Sequence, residues 1–322
     1  MSAPRVGLVL GAGGTVGGAF HSGVLAALAE ATGWDPRTAQ VIVGTSAGSI
    51  TGTGLRAGLS AADGYARNTG GRVSPEGARL LAAVSGGGRR GGFDRTGSRR
   101  LRPARAMAAT LAGAAVRPLA ARPAAVLAGL APDGVVGTDM ISGGVDALTQ
   151  GRWPADPLWI CAVRQRDGRR VVFGRDARPP LPAAVAASCA IPSFFAPVDV
   201  DGEAYIDGGA HSPTNADVLR HEELDLVVVV SPMSIAGRGL RLAPDQLPRR
   251  WARARLDGEA RRLRRRGVPL LAFQPTAEDA AVMAGNALDP AKAGPVARAA
   301  RASTLRRLER PDVLDRVDRL VS

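Results

Sequence analysis

Near its N-terminus the chain twice runs from a short apolar stretch through glycines into a helix pattern, and this repetition constrains its fold more than any other feature. The first unit is Arg5-Val-Gly-Leu-Val-Leu10, then Gly11-Ala-Gly-Gly-Thr-Val-Gly-Gly18, then a helical pattern over 19–31 with Val24, Leu25 and Leu28 on its apolar face. The second is Gln40-Val-Ile-Val43, then Gly44-Thr-Ser46-Ala-Gly48, then a helix over 47–59. Strand, helix, strand, helix in succession points to parallel strands joined by crossover helices. Later apolar runs extend the pattern. Strands are predicted over 158–163, 170–173, 204–206, 226–230 and 268–273, and helices over 181–188, 247–266, 278–286 and 291–309. The class is α/β throughout, with no internal repeat.

Length and composition narrow the rest. At 322 residues the chain is sized for one large domain or two small ones. Aromatics make up only 4%, so the core must be built from Ala, Val and Leu. Glycine (41) and proline (23) stay below the share typical of low-complexity sequence. Cys161 and Cys189 have no companion Cys or His spacing, which argues against a disulfide framework and a zinc site. They read as small buried hydrophobes in a reducing compartment. No metal or organic cofactor is implied. Met-Ser-Ala-Pro-Arg leads straight into the first strand without a signal region. The most apolar stretch, 104–131, is broken by Arg105, Arg117, Pro118, Arg122 and Pro123, so no spanning helix is expected. The chain reads as cytoplasmic, with membrane contact at most peripheral.

The chemistry concentrates at the two glycine turns. Gly44-Thr-Ser46-Ala-Gly48 is a G-x-S-x-G between strand and helix, a pattern that holds a serine hydroxyl out of the sheet at a helix N-terminus. In the first turn, consecutive glycines let backbone N–H groups converge on a phosphate or a developing oxyanion. A dinucleotide fingerprint fails there. Counting from Gly11 puts Val16 where the third glycine belongs, and the second strand ends without an acid for a ribose. No phosphate-binding G-x-x-x-x-G-K-[ST] is present. A nucleophilic serine needs a base. Of three histidines, His21 precedes Ser46 and reads as structural, while His211 and His221 come late enough for a triad. Asp207, ending an apolar strand before Gly208 and Gly209, is the more pointed candidate.

Together these residues resemble the patatin-like phospholipase family. Four blocks carry the resemblance in the family's order: the glycine loop at 11–18, Gly44-Thr-Ser-Ala-Gly48, Ala187-Ser-Cys-Ala-Ile-Pro192 and Asp207-Gly-Gly209. The resemblance implies a three-layer α/β/α fold around a mostly parallel sheet, and a Ser–Asp dyad in place of a triad. It makes Ser46 the nucleophile, Asp207 the proton acceptor, and Gly11, Gly13, Gly14, Thr15 and Gly17 the oxyanion loop, with Gly44, Gly48, Gly208 and Gly209 as supporting motif residues. The expected activity is acyl-ester hydrolysis on lipid. One departure stands out: Val16 takes the place of an Arg or Lys usual in the family's loop, so turnover is expected to be slow or to depend on another arginine. Val16 also suggests a competing expectation, a catalytically silent lipid- or nucleotide-binding module.

The net charge is +13, carried almost wholly by arginine, since Lys292 is the one lysine. Residues 86–103 hold six arginines among Gly and Ser and read as a mobile loop, part of a lid insertion over about 86–131 in a single domain spanning 1–322. Arg249 to Arg266 holds nine arginines, with Ala252, Leu256, Ala260 and Leu263 at helical spacing. Such fields favour an anionic membrane surface. Nucleic acid is not an expected partner.

Overall fold

The computed structural model describes residues 4–88, 133–236 and 247–311, with 313, 316 and 320. Among them, eight strands form one sheet: β1 (Val6–Leu10), β2 (Val41–Thr45), β3 (Leu158–Arg164), β4 (Arg170–Phe173), β5 (Val198–Val200), β6 (Glu203–Asp207), β7 (Leu226–Val230) and β8 (Leu270–Phe273). Their order is β5-β6-β3-β2-β1-β7-β8, with β4 also paired to β3. β3, β2, β1, β7 and β8 run parallel, whereas β4 and β6 lie antiparallel to β3 and β5 antiparallel to β6.

Helices α1 (Gly14–Thr32), α2 (Ala47–Arg56), α3 (Ala61–Thr69), α4 (Pro75–Gly88), α5 (Asp139–Thr149), α6 (Leu181–Ser188), α7 (Leu247–Arg264), α8 (Ala277–Met283) and α9 (Ala293–Leu308) complete the structure. The central strands read as unbroken apolar runs because both their faces are buried. Leu8, Leu10, Ile42, Val228, Val230 and Phe273 pack on one side with α1, α6 and α9. Val9, Val41, Val43, Val227 and Val229 pack on the other with Leu256, Ala260 and Leu263 of α7. The result is the three-layer α/β/α arrangement.

Several elements depart from the sequence reading. α1 begins at Gly14 rather than at residue 19. Glycines weaken a helix by about 1 kcal/mol each, yet tertiary contacts hold this turn: Val16 is buried in the core, and its N–H donates to the Ala287 carbonyl at 3.0 Å. Strand β5 and helices α3, α4 and α5 were not anticipated. Gly86 to Gly88 close α4 rather than opening a loop, and the rest of the 86–131 segment lies outside the described residues. The basic helix forms as expected but covers the sheet face opposite α1. Among the described residues, no helix is long and apolar enough to cross a membrane.

Candidate active site

β2 ends at Thr45 and α2 starts at Ala47, which leaves Ser46 alone to make the turn. Its backbone sits at φ 53°, ψ −121°, a conformation that costs a non-glycine residue about 1–3 kcal/mol and persists only where its surroundings fix it. They do so here. The Ser46 N–H donates to Ser188 Oγ at 2.9 Å, and Ser188 Oγ donates to the Cys161 carbonyl at 2.7 Å. The Ser46 carbonyl accepts from the Ser49 N–H at 2.8 Å and from Ser49 Oγ at 2.6 Å. The flanking glycines are steric necessities. A Cβ on Gly44 would lie 2.5 Å from Ser49 Cα, and one on Gly48 would fall on the Leu10 carbonyl.

The sheet brings Asp207 to the same point. β2 pairs with β3 up to Thr45↔Cys161, and β6 pairs with β3 from Ala162↔Asp207 onward. β4 overlaps both partners along β3, so β2 and β6 must share its other edge. The two strands therefore meet end to end, one finishing before Ser46 and the other at Asp207. The Asp207 N–H donates to the Ala190 carbonyl at 2.9 Å, so the Ala187-to-Pro192 block holds both Ser46 and Asp207. Gly208 lies against the Cys161 carbonyl, and the Gly209 N–H donates to Asp207 Oδ1 at 2.7 Å. Burial raises the Asp207 carboxyl to about 6, against the pull of hydrogen bonds from the Ser46 side chain and the Gly209 N–H. Beside them, burial and the Asp207 charge push the Cys189 thiol far up, which leaves it unreactive.

The first turn lies at the next strand end. Gly11 and Ala12 spend their N–H groups on the carbonyls of Val230 (2.9 Å) and Pro213 (2.8 Å), and Gly17 on Gly13 (2.8 Å). The amides of Gly13, Gly14 and Thr15 have no backbone acceptor among the described residues. They sit at the positive end of α1, an arrangement suited to an anion. Gly14 has φ 62°, and a Cβ there would lie 2.7 Å from the Ala287 carbonyl. Val16 is placed away from the cavity. Its side chain points into the core, whereas Gly14, Thr15, Gly18 and Ser22 line a cavity.

That cavity, about 540 Å³, runs from Ser46 between α1, α2, α3, α4 and α5. Leu55, Leu59, Leu81, Ile141, Val145 and Leu148 make it apolar, and Arg67 is the one arginine or lysine among the described lining residues. A family model described as Patatin-like phospholipase matches residues 8–220, about two thirds of the chain. The chain belongs to the patatin-like phospholipase family. Proteins of this family act on lipids, generally as hydrolases. Among solved structures, the crystal structure of VipD from Legionella pneumophila is similar at 15% identity and a TM-score of 0.41, over 96% of this chain and 67% of that one. No curated protein matches the chain.

For this patatin-like chain the histidines separate clearly. His21 is fully buried in α1 with Nδ1 3.2 Å from Thr51 Oγ1, and burial lowers its pKa to about 3. His211 caps the short turn after Asp207, and its charge helps to lower the Asp217 carboxyl. His221 is exposed ahead of β7, at the N-terminal end of the parallel strands and so at the opposite end from Ser46, which follows the C-terminal end of β2. Sequence reasoning passed over Thr45, Ser188, Asn215 and Glu259. Ser188 lay inside a quoted block, while Asn215 and Glu259 carry no motif that names their partners.

Proposed function

We propose that this patatin-like protein is a serine acyl-ester hydrolase working through a Ser46–Asp207 dyad. One observation carries the reading: β2 and β6 meet end to end and bring Ser46, on the wall of an apolar cavity, to the buried Asp207, with Gly14 and Thr15, whose amides have no backbone acceptor among the described residues, lining the same cavity. Ser46 Oγ attacks the ester carbonyl and Asp207 takes its proton. The amides of Gly13, Gly14 and Thr15 hold the oxyanion, and Asp207 returns the proton to the departing alkoxide. Water, deprotonated by Asp207, then cleaves the acyl–Ser46 bond and restores the serine. A carboxyl near 6 is ionised at neutral pH and still basic enough to accept the proton. The acyl chain occupies the cavity between α2, α4 and α5. A fluorophosphonate should label Ser46, and p-nitrophenyl ester turnover should vanish in Ser46→Ala. Label on another residue, or turnover surviving that change, contradicts the reading.

The silent-module alternative rests on the cation missing at Val16, and turnover that depends on Ser46 would exclude it. Contact with an anionic lipid surface belongs to the same proposal. Ile50, which itself lines the cavity, and Phe194, in ring contact with the cavity-lining Phe195, are exposed and supply apolar contact at its rim. Binding to anionic vesicles should weaken between low salt and about 0.5 M, as surface electrostatics require. Equal binding to neutral vesicles removes the arginines from the account.

A further inference from the structure

We propose that Asn215 is a positioning residue that sets the Ser46–Asp207 geometry by tying together the ends of the strands that carry them. The proposal rests on the hydrolase reading and adds what keeps its two groups in register. β2 and β6 abut on one edge of β3, but each is paired to β3 and not to the other. Besides the 187–192 block, which holds each end separately, one side chain bonds to both ends at once. Asn215 Nδ2 donates to Thr45 Oγ1 at 3.1 Å, on the residue before Ser46, and to the Gly208 carbonyl at 3.4 Å, on the residue after Asp207. It also donates to the Ser212 carbonyl at 2.6 Å, closing the loop between them.

The chemistry of the neighbours fixes the orientation of this amide. Carbonyls only accept, so Nδ2 must face Gly208 and Ser212. A guanidinium only donates, so Oδ1 must face Arg170, whose Nη1 lies 3.1 Å away. Asn215 is fully buried at φ 55°, ψ 26°, a left-handed conformation that asparagine tolerates better than most residues. Both neighbours are clamped by one carboxylate. Glu259 Oε2, buried on the inner face of α7, accepts from Thr214 Oγ1 at 2.6 Å and from the Ala216 N–H at 2.9 Å. Arg170 is fixed in turn by Asp217. The tie is therefore braced from the sheet face opposite the cavity. Aspartate of the same shape would lack the donors that bridge Thr45 and Gly208.

The test compares Asn215→Asp and Thr45→Val with the unaltered chain, using kcat, KM, the pH profile on a soluble p-nitrophenyl ester, and the rate of fluorophosphonate labelling. Each change should lower kcat about 10–100-fold with little change in KM, since a misplacement near 1 Å costs on this order. Labelling should slow in step. The acid limb of kcat should move to higher pH, because a displaced Ser46 no longer holds the Asp207 carboxyl down. The double variant should be no worse than the poorer single one, as for two ends of one interaction. A merely structural role would lower the melting temperature and leave the limb in place. Should Asn215→Asp fail to fold, Thr45→Val, which removes one hydroxyl, decides alone. Unchanged kcat and limb in a folded variant overturn the positioning role while Ser46-dependent turnover keeps the hydrolase reading. An unlabelled wild-type chain overturns both.

Discussion

After β1 the chain turns with Gly13 extended and Gly14 at φ 62°; after β2 it turns with Ser46 at φ 53°. Both turns leave parallel neighbouring strands and both open a helix on the same sheet face. They differ in what they expose. The first presents backbone N–H groups and puts glycine where any Cβ would strike Ala287. The second presents a side chain and therefore accepts a left-handed serine, held by Ser188 and Ser49. Backbone strain is tolerated where a functional group is required, and glycine is used where none is.

The largest effect should follow from removing that side chain. Ser46→Ala is expected to lower kcat by on the order of 10⁴-fold or more, as loss of a nucleophile does elsewhere. Ser46→Gly should lose as much activity while relieving the positive φ, so its melting temperature should not fall below that of Ser46→Ala. A less stable glycine variant would mean that Ser46 is not strained, and the contrast between the turns would fail.

Asp207→Asn comes next, with a loss of about 10³–10⁴ in kcat, while His211→Ala and His221→Ala keep most of theirs. Its stability should move the other way. Because the folded-state pKa, about 6, lies above the ordinary 3.8, ionising Asp207 opposes folding, and stability is lost as pH rises from about 4 through 6. The Asn variant should be more stable at pH 7 by about 3 kcal/mol, with the difference vanishing below pH 4 in urea titrations. The helix that follows the first turn holds the opposite case. His21, lowered from 6.5 to about 3, resists protonation when folded, so its neutral form favours the fold at neutral pH and that benefit is lost as pH falls below 6.5. His21→Gln should flatten the acid side of the stability curve.

The contrast also marks what could be read from the chain alone. Both turns were visible, because a strand ending in glycine and feeding a helix is a local pattern. The meeting of Ser46 with Asp207 was legible only through resemblance, since it depends on β2 and β6 sharing one edge of β3. The burial of Val16 was not legible for the same reason: a loop alignment assigns a position, but the helix that begins at Gly14 decides which way its side chain points. α3 left a trace that was not taken up. Ser60-Ala-Ala-Asp63 is a helix-start signature, and Ser60 Oγ accepts from the Asp63 N–H at 3.0 Å. Asn215 and Glu259 left none, because their partners lie far apart in sequence.

Changes within the first turn should act through its backbone. Gly14→Ala forces a Cβ against the Ala287 carbonyl at a left-handed φ, displacing the amides that face the cavity. A loss of about 10²–10³ in kcat is expected, the scale of one oxyanion donor. Val16→Arg should restore nothing. It buries an unpaired charge in the core, at a cost of about 3–5 kcal/mol, and thermal melting should register it before any assay does. Faster turnover in a folded Val16→Arg chain would return this position to the anion site.

The smallest expected effect is the sharpest test of the contrast. Thr15 is exposed beside Gly14 in the first turn of α1 and lines the cavity, as Ser46 does from the second turn. Both are hydroxyl residues facing one space. If the first turn works through N–H groups alone, Thr15→Ala leaves its amide in place and changes kcat by no more than about 2-fold, with stability within about 0.5 kcal/mol, as for an ordinary surface change. KM should move as little, since a solvated hydroxyl contributes about equally to free and bound enzyme. A 100-fold fall in kcat would instead give the Thr15 hydroxyl a part in holding the oxyanion. The two turns would then share one strategy, a side chain presented at a strand end, and the glycines of the first would serve packing alone.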